Sequence, residues 1–277
     1  MNVSIIYIND NCNQNCVFCC GLGKKMPMQT YEKIIKNSKG RIVISGGEPI
    51  LSENLYWVLN LIKKNKKIKE VELQSNGAIL YYEKIIDKIE KLSVVTEYNI
   101  NFPIHEEDLD KKITKSNLFN FRINGIKNLL KKSLKVRLTF VINKYNYKKI
   151  KEYLEFINKN FKNRVSVQLS YTQFQGNANR GEIVVSYSKL KPSLLSALEF
   201  SKEKGMECKI DNIPLCICFP FIQENVDFYK TKTKGISFHK KIKIRQCESC
   251  ELNKNCFGPP EDYIKKFGIE EFTPIKK

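Results

Sequence analysis

The sequence predicts an α/β protein, a partial (β/α)6 barrel followed by a small cysteine-rich C-terminal domain, and three observations carry that prediction. Short β-rich runs alternate with longer amphipathic segments from residue 3 to about residue 172, the pattern of βα units around a parallel sheet. Four of those runs are polar on one face and apolar on the other. After about residue 175 the chain becomes loop-rich and holds six of its ten cysteines.

Strands are expected at Val3 to Ile8, Arg41 to Ser45, Lys69 to Ser75, Val94 to Phe102, Leu134 to Asn143 and Val165 to Tyr171. Helices should fill Gln29 to Ser38, Glu53 to Lys64, Tyr82 to Leu92, Asn117 to Lys132 and Tyr147 to Phe161. An open parallel sheet covered on both faces would have continuously apolar strands. Here Glu72 and Gln74 alternate with Val71 and Leu73, and Glu97, Asn99 and Asn101 with Tyr98, Ile100 and Phe102. Arg137 and Thr139, then Ser166, Gln168 and Ser170, repeat the pattern. A polar face shared by neighbouring parallel strands is expected to line a wet lumen, the alternative being edge strands that face solvent. Beyond Gly176 to Gly181, read as a loop, a helix near Lys189 to Lys204 and a short strand at Met206 to Ile210 are expected. The division is therefore a barrel core at 1–175 and a smaller domain at 176–277.

With 42% hydrophobic and 11% aromatic residues the chain has the composition of a folded protein. Its formal charge of +19 comes from 48 Lys and Arg against 29 Asp and Glu. The excess is mostly scattered lysine with no compact Arg-rich stripe, so nucleic acid is not expected as a partner. The run Val3 to Ile8 is too short and lacks the basic leader of a signal peptide, and no stretch suits a membrane span. A cytoplasmic location is expected, where clustered cysteines point to metal or redox chemistry instead of disulfides.

Cys12, Cys16 and Cys19 follow the first strand with the spacing C-x3-C-x2-C. Three thiolates on one short loop hold three irons of a 4Fe-4S cube and leave the fourth iron open. Zinc sites use four ligands, commonly in paired units, and no histidine is near. Cys20 adjoins Cys19 and is read as a bystander. Gly46-Gly47-Glu48-Pro49 lies just after the second strand. Two glycines allow close backbone approach, and a carboxylate accepts from an ammonium.

These two motifs together resemble the radical S-adenosylmethionine (SAM) superfamily. The resemblance implies a radical SAM partial barrel and an enzyme that cleaves SAM reductively to a 5'-deoxyadenosyl radical. It implies a SAM-binding 4Fe-4S cluster on Cys12, Cys16 and Cys19, with an external reductant such as flavodoxin or ferredoxin. By the same resemblance Gly46, Gly47, Glu48 and Pro49 hold the methionine amino group, and Phe18 lies near the adenine. Ser75 and Asn76 would touch the methionyl carboxylate or ribose, and Asn143 and Gln168 would complete the pocket.

Cys247, Cys250 and Cys256 form a second group, C-x2-C-x5-C, with Cys216 or Cys218 as a fourth thiol. Four thiolates close a structural zinc or an auxiliary Fe-S cluster. Similarity to the twitch or shortened SPASM extension of radical SAM enzymes favours a second 4Fe-4S cluster on Cys216, Cys247, Cys250 and Cys256. Cys208 reads as a buried small apolar residue. Of the two histidines, His239 has no assigned role, and His105 is either a solvated loop residue or a proton carrier at the barrel mouth.

The polar lumen points to a small polar substrate. In layout the chain is similar to queuine lyases, which cleave a 7-deazaguanine. A guanine-type edge needs a carboxylate and amides, and Glu97, Asn99, Asn101 and Gln168 are the candidates, Glu97 and His105 being the candidate catalytic groups. The alternative is a maturase that modifies a peptide or protein.

Overall fold

The structure, a computed structural model, describes residues 3–21, 26–179, 181–231 and 240–276. His239 and Arg180 of the expected loop lie outside the described residues. By its internal contacts the chain falls into two units, Met1–Thr139 and Phe140–Lys277, with the division inside the fifth strand.

In the first unit β1 (Val3–Tyr7), α1 (Met28–Asn37), β2 (Gly40–Ser45), α2 (Leu55–Lys64), β3 (Ile68–Ser75), α3 (Glu83–Glu90) and β4 (Glu97–Asn101) alternate as expected. They are followed by α4 (Glu107–Thr114), α5 (Phe119–Lys131) and the start of β5 (Val136–Ile142). Each strand pairs in parallel with the next, from β1 to β5. The helices form because their apolar residues recur with helical period. In α2 the buried set is Leu55, Val58, Leu59 and Ile62, one stripe facing the sheet side. Helix α4 was not expected, because Glu106-Glu107-Asp108 reads as a solvated loop while its inward stripe includes a charge, Asp110.

The second unit continues with α6 (Ile150–Phe161), β6 (Val165–Tyr171), α7 (Tyr187–Glu203) and β7 (Cys208–Asp211). The strand expected in the tail thus forms, and it extends the parallel pattern by pairing with β6. Short helices α8 (Leu215–Cys218), α9 (Val226–Lys230), α10 (Arg245–Glu248) and α11 (Glu261–Phe267) follow. Tyr187 and Tyr263 are buried and stack at 4.2 Å between ring centroids, with Phe272 edge-on to both. The segment beyond residue 240 therefore carries some apolar burial of its own.

In β5 the expected alternation appears directly as alternating burial. In β3 and β4 the polar face is itself buried, with Glu72, Glu97 and Asn99 each less than a tenth exposed. At these positions the wet lumen expected from periodicity is replaced by side chains that satisfy one another.

Candidate active site

The cysteine loop leaves β1 and is tied to elements outside itself. Asn15 and Val17 donate their amides to the carbonyls of Thr114 and Ile113 at 3.1 and 2.9 Å, in the last turn of α4. Asn76, just past β3, donates its side-chain amide to Asn13 Oδ1 at 2.6 Å. The Gly-Gly-Glu-Pro loop runs alongside, with Gly47 N donating to Asn9 O at 3.0 Å and Glu48 N to Asn11 O at 2.7 Å. A Cβ on Gly46 would stand 2.6 Å from Asn9 O, and one on Gly47 2.3 Å from Asn11 O. The two glycines are therefore required first by the approach of the two loops to each other. The sequence reading had assigned them to a ligand alone.

Glu48 is buried, and its carboxylate accepts from Ile50 N at 3.1 Å, Ser75 Oγ at 2.9 Å and Asn76 N at 2.7 Å. Burial raises its pKa, against the pull of those donors and of Arg122. With three of about four acceptor positions filled, Glu48 braces the loop to the end of β3. Ser75 and Asn76 are engaged likewise: Gly77 N donates to Ser75 Oγ and Ala78 N to Asn76 Oδ1. Pro49 is buried at the start of a single turn, Pro49–Leu51, and Phe18, between Cys16 and Cys19 in the sequence, is buried.

Cys12 and Cys19 are exposed and Cys16 is buried. Burial pushes the Cys16 thiol up to about 12, with Arg122 opposing and the thiolates of Cys19 and Cys12 adding to the rise. Cysteine ligates metal as thiolate, so metal binding at this loop would release protons. The donor set fits a 4Fe-4S cube held through three irons. At the joint with the Gly-Gly-Glu-Pro loop, Asn9 Oδ1 is buried without a hydrogen-bond partner. Cys20 stands apart, its thiol raised to about 11 by burial.

Arg122 and Asp110 were not expected from the sequence. They form a fully buried ion pair at 2.5 Å between α5 and α4, and Arg122 Nε donates to Asn76 O at 2.9 Å. A charged residue on a helix ordinarily marks the solvent face, and no pattern in the sequence distinguishes these two.

Glu97 is not the free carboxylate expected. It accepts from Arg41 at 2.9 Å, with Lys135 at 3.3 Å and Arg137 at 3.5 Å. Glu72 lies between Arg137, at 2.6 Å, and Arg41, and accepts from Asn99 and Gln74. Although burial works the other way, Arg137, Asn99, Arg41 and Gln74 hold the Glu72 carboxyl at about 2. Glu97 also opens β4, four residues before Asn101. At about 3.3 Å per residue it stands some 13 Å below the carboxyl end of its strand, whereas ligands of parallel α/β sheets bind at that end. Asn99 is likewise committed, to Glu72 and to Thr139. Asn101, at the end of β4, keeps a buried Oδ1 without a partner. His105 lies beyond it with Nε2 3.7 Å from Glu106.

In the second unit Asn143 folds its side chain onto its own turn, donating to Val141 O and accepting from Tyr145 N. The residue is fully buried. Gln168 donates to Ser170 Oγ at 2.9 Å and reaches Asp211 Oδ2 at 3.5 Å. Asp211, the last residue of β7, was missed by the sequence reading. Cys216, Cys247, Cys250 and Cys256 line one pocket. Gly258 N donates to Cys256 Sγ at 3.3 Å. Cys218 is fully buried, with its sulfur between Leu215 O and Asn225 Nδ2, and does not line the pocket. Cys208 is buried in β7, as expected.

A loop of three cysteines joined edge to edge with a Gly-Gly-Glu-Pro turn, beside parallel strands, lies within residues 6–157, which match the model of the radical SAM superfamily, and the chain belongs to that superfamily. Members of this superfamily are enzymes that use a 4Fe-4S cluster and SAM. Over 150 residues the chain is 31% identical to a probable GTP 3',8-cyclase of Methanococcus aeolicus, covering 50% of this chain and 49% of that one. It is 25% identical over 178 residues to a GTP 3',8-cyclase of Clostridium perfringens, covering 59% and 53%. The chain thus spans about half the length of the curated relatives it matches. Among solved structures it resembles anSMEcpe with bound AdoMet and a peptide, with a TM-score of 0.64 over 93% of this chain and 89% of that one. At 13% identity that likeness shows the fold, and the α/β radical SAM class expected from the sequence is the class observed. Among the described residues no helix is long and apolar enough to cross a membrane.

Proposed function

We propose that this enzyme binds a 4Fe-4S cluster through Cys12, Cys16 and Cys19 and SAM beside the Gly-Gly-Glu-Pro loop, and acts on a small polar substrate with a guanine-type edge. The observation that carries the first part is the stitching of the cysteine loop to Gly46–Pro49, which presents both motifs as one surface. When bound, cluster and SAM supply a carbon-centred radical able to abstract hydrogen; the protein supplies orientation and the exclusion of water. Glu48, Ser75 and Asn76 act as the braces of that surface, and the fourth acceptor position on Glu48 is the one left for an ammonium group.

The substrate class rests on the relatives' printed activity toward GTP and on the polar groups at the carboxyl ends of strands. Asn101 at the end of β4, with a buried amide oxygen, offers an amide partner for a purine-type edge. Queuine, a 7-deazaguanine, shares that edge with GTP and remains the finer reading. Cys216, Cys247, Cys250 and Cys256 hold an auxiliary 4Fe-4S cluster in this reading, since four thiols converge on one pocket with an amide directed at one sulfur. A ferredoxin or flavodoxin supplies the electron.

A second reading, a peptide- or protein-modifying maturase, draws on the likeness to anSMEcpe with a bound peptide, which extends over nearly the whole chain. Reconstituted protein should convert SAM to 5'-deoxyadenosine under reducing conditions. Incubation with GTP, queuine and a peptide library in turn then separates the readings. Stimulated turnover with the purines alone supports the first, and with peptides alone the second. No 5'-deoxyadenosine from protein carrying a full cluster would end both.

A further inference from the structure

Among the described residues Arg122 is the largest fully buried side chain. A guanidinium enclosed in this way is costly unless every contact it makes is needed. Its Nη1 binds Asp110 on α4, its Nε binds the carbonyl of Asn76, and its Nη2 is buried without a partner. Both contacts lead to the cysteine loop. The last turn of α4, four residues past Asp110, takes the amides of Asn15 and Val17, while Asn76 reaches Asn13 with its side chain and Glu48 with its amide. Arg122 is thus joined to both motifs through Asn76, and to the cysteine loop a second time through Asp110 and the last turn of α4.

We propose that Arg122 is a positioning residue, whose fixed fork sets the cysteine loop and the Gly-Gly-Glu-Pro loop in register through Asp110 and Asn76. The fork is the essential property. Two hydrogen bonds leave one planar group in fixed directions toward two different elements, which a lysine ammonium on a flexible stem does not reproduce. The inference rests on reading the cysteine loop as the cluster site, and its test has a part that does not depend on the cluster.

The experiment uses the full chain in three forms: wild type, Arg122→Lys, and the double variant Arg122→Met with Asp110→Leu. The double change removes both charges, so no unpaired ion is left buried and the fold is retained. Hydrogen exchange is measured first on metal-free protein. The amides of Asn15 and Val17 should exchange about tenfold faster or more in both variants, with those of Val43 and Leu73 in the strands unchanged. After reconstitution, the change that SAM induces in the electron paramagnetic resonance spectrum of the reduced cluster should require about tenfold more SAM. Wild-type exchange at Asn15 and Val17 in the double variant overturns the proposal. Restoration of both readouts by Arg122→Lys also overturns it, since charge would then suffice without the fork. If the wild type takes up no iron on Cys12, Cys16 and Cys19, the cluster reading fails while the exchange data still decide whether Arg122 braces the loop.

Discussion

Cys12, Cys16 and Cys19 of the first unit sit on one loop whose hydrogen bonds lead outward, to α4, to the end of β3 and to the Gly-Gly-Glu-Pro turn. Cys216, Cys247, Cys250 and Cys256 of the second unit come from three separate stretches, around α8, around α10 and just before Gly258, among helices of four to seven residues. Within that tail Lys243 bridges the carbonyls of Asn253 and Cys256, Gln246 donates to Ile269 O, and Glu251 N donates to Ile275 O. The difference is one of tether: the first loop is bonded to three neighbouring elements, whereas the second group of cysteines is gathered from separate stretches of chain. A catalytic centre gains from advance shaping, because a cluster that must present an open iron cannot also be asked to fold its own loop.

Removing metal tests that contrast most severely. Replacing Cys247, Cys250 and Cys256 by Ala should cost several kcal/mol in the 240–276 segment, since closed thiolate sites contribute on the order of 10 kcal/mol. Limited proteolysis and thermal melting of reconstituted protein would show it. The same changes at Cys12, Cys16 and Cys19 should abolish SAM cleavage and leave melting nearly unaltered. Equal losses of stability in the two variants would erase the distinction drawn here.

The next effect is on pH. The folded pKa of Glu72 is depressed from 4.5 to about 2, so its contribution is fully present above 4.5 and fades as pH falls toward 2. At most about 3 kcal/mol is involved. Urea midpoints of metal-free protein between pH 5 and 2 should therefore fall more steeply for wild type than for Glu72→Gln. Smaller again is Gly47→Ala, whose new methyl would press on the backbone of Asn11. About 2 kcal/mol of stability should be lost, with reduced iron uptake at the first site and normal uptake at the second. Smallest is Glu97→Gln, which weakens ion pairs far from the carboxyl ends of the strands. A loss of about 1 kcal/mol is expected, with the Michaelis constant unmoved; a tenfold rise in that constant would return Glu97 to the substrate site.

The repeating βα elements were legible because burial imposes the same period on sequence and structure, and β6 was read to the residue. The cysteine loop and the Gly46–Pro49 turn were legible because their residue types leave few other uses. Periodicity identified the face on which Glu97 lies and left its height along the strand unread, and only the carboxyl end faces ligand. It also could not show that Arg41, Lys135 and Arg137 would neutralise the acids of that face, because those partners come from two other strands. Asp110 and Arg122 stayed hidden for a related reason, since a pair that satisfies itself in the core looks, one residue at a time, like two surface charges.

Asn76-Gly77 is a dipeptide of the kind that ages fastest in proteins, by attack of the glycine amide on the asparagine side chain to give aspartate or isoaspartate. Here Gly77 N is held by Ser75 Oγ, and the Asn76 side chain is fixed between Asn13 and Ala78. The attacking amide and the carbonyl it would attack are thus both held by other partners, and Asn76 is only 6% exposed. The bonds that hold the loop in register also set its chemical lifetime: once they are loosened, a new carboxylate forms beside Glu48, and the damage cannot be reversed by refolding.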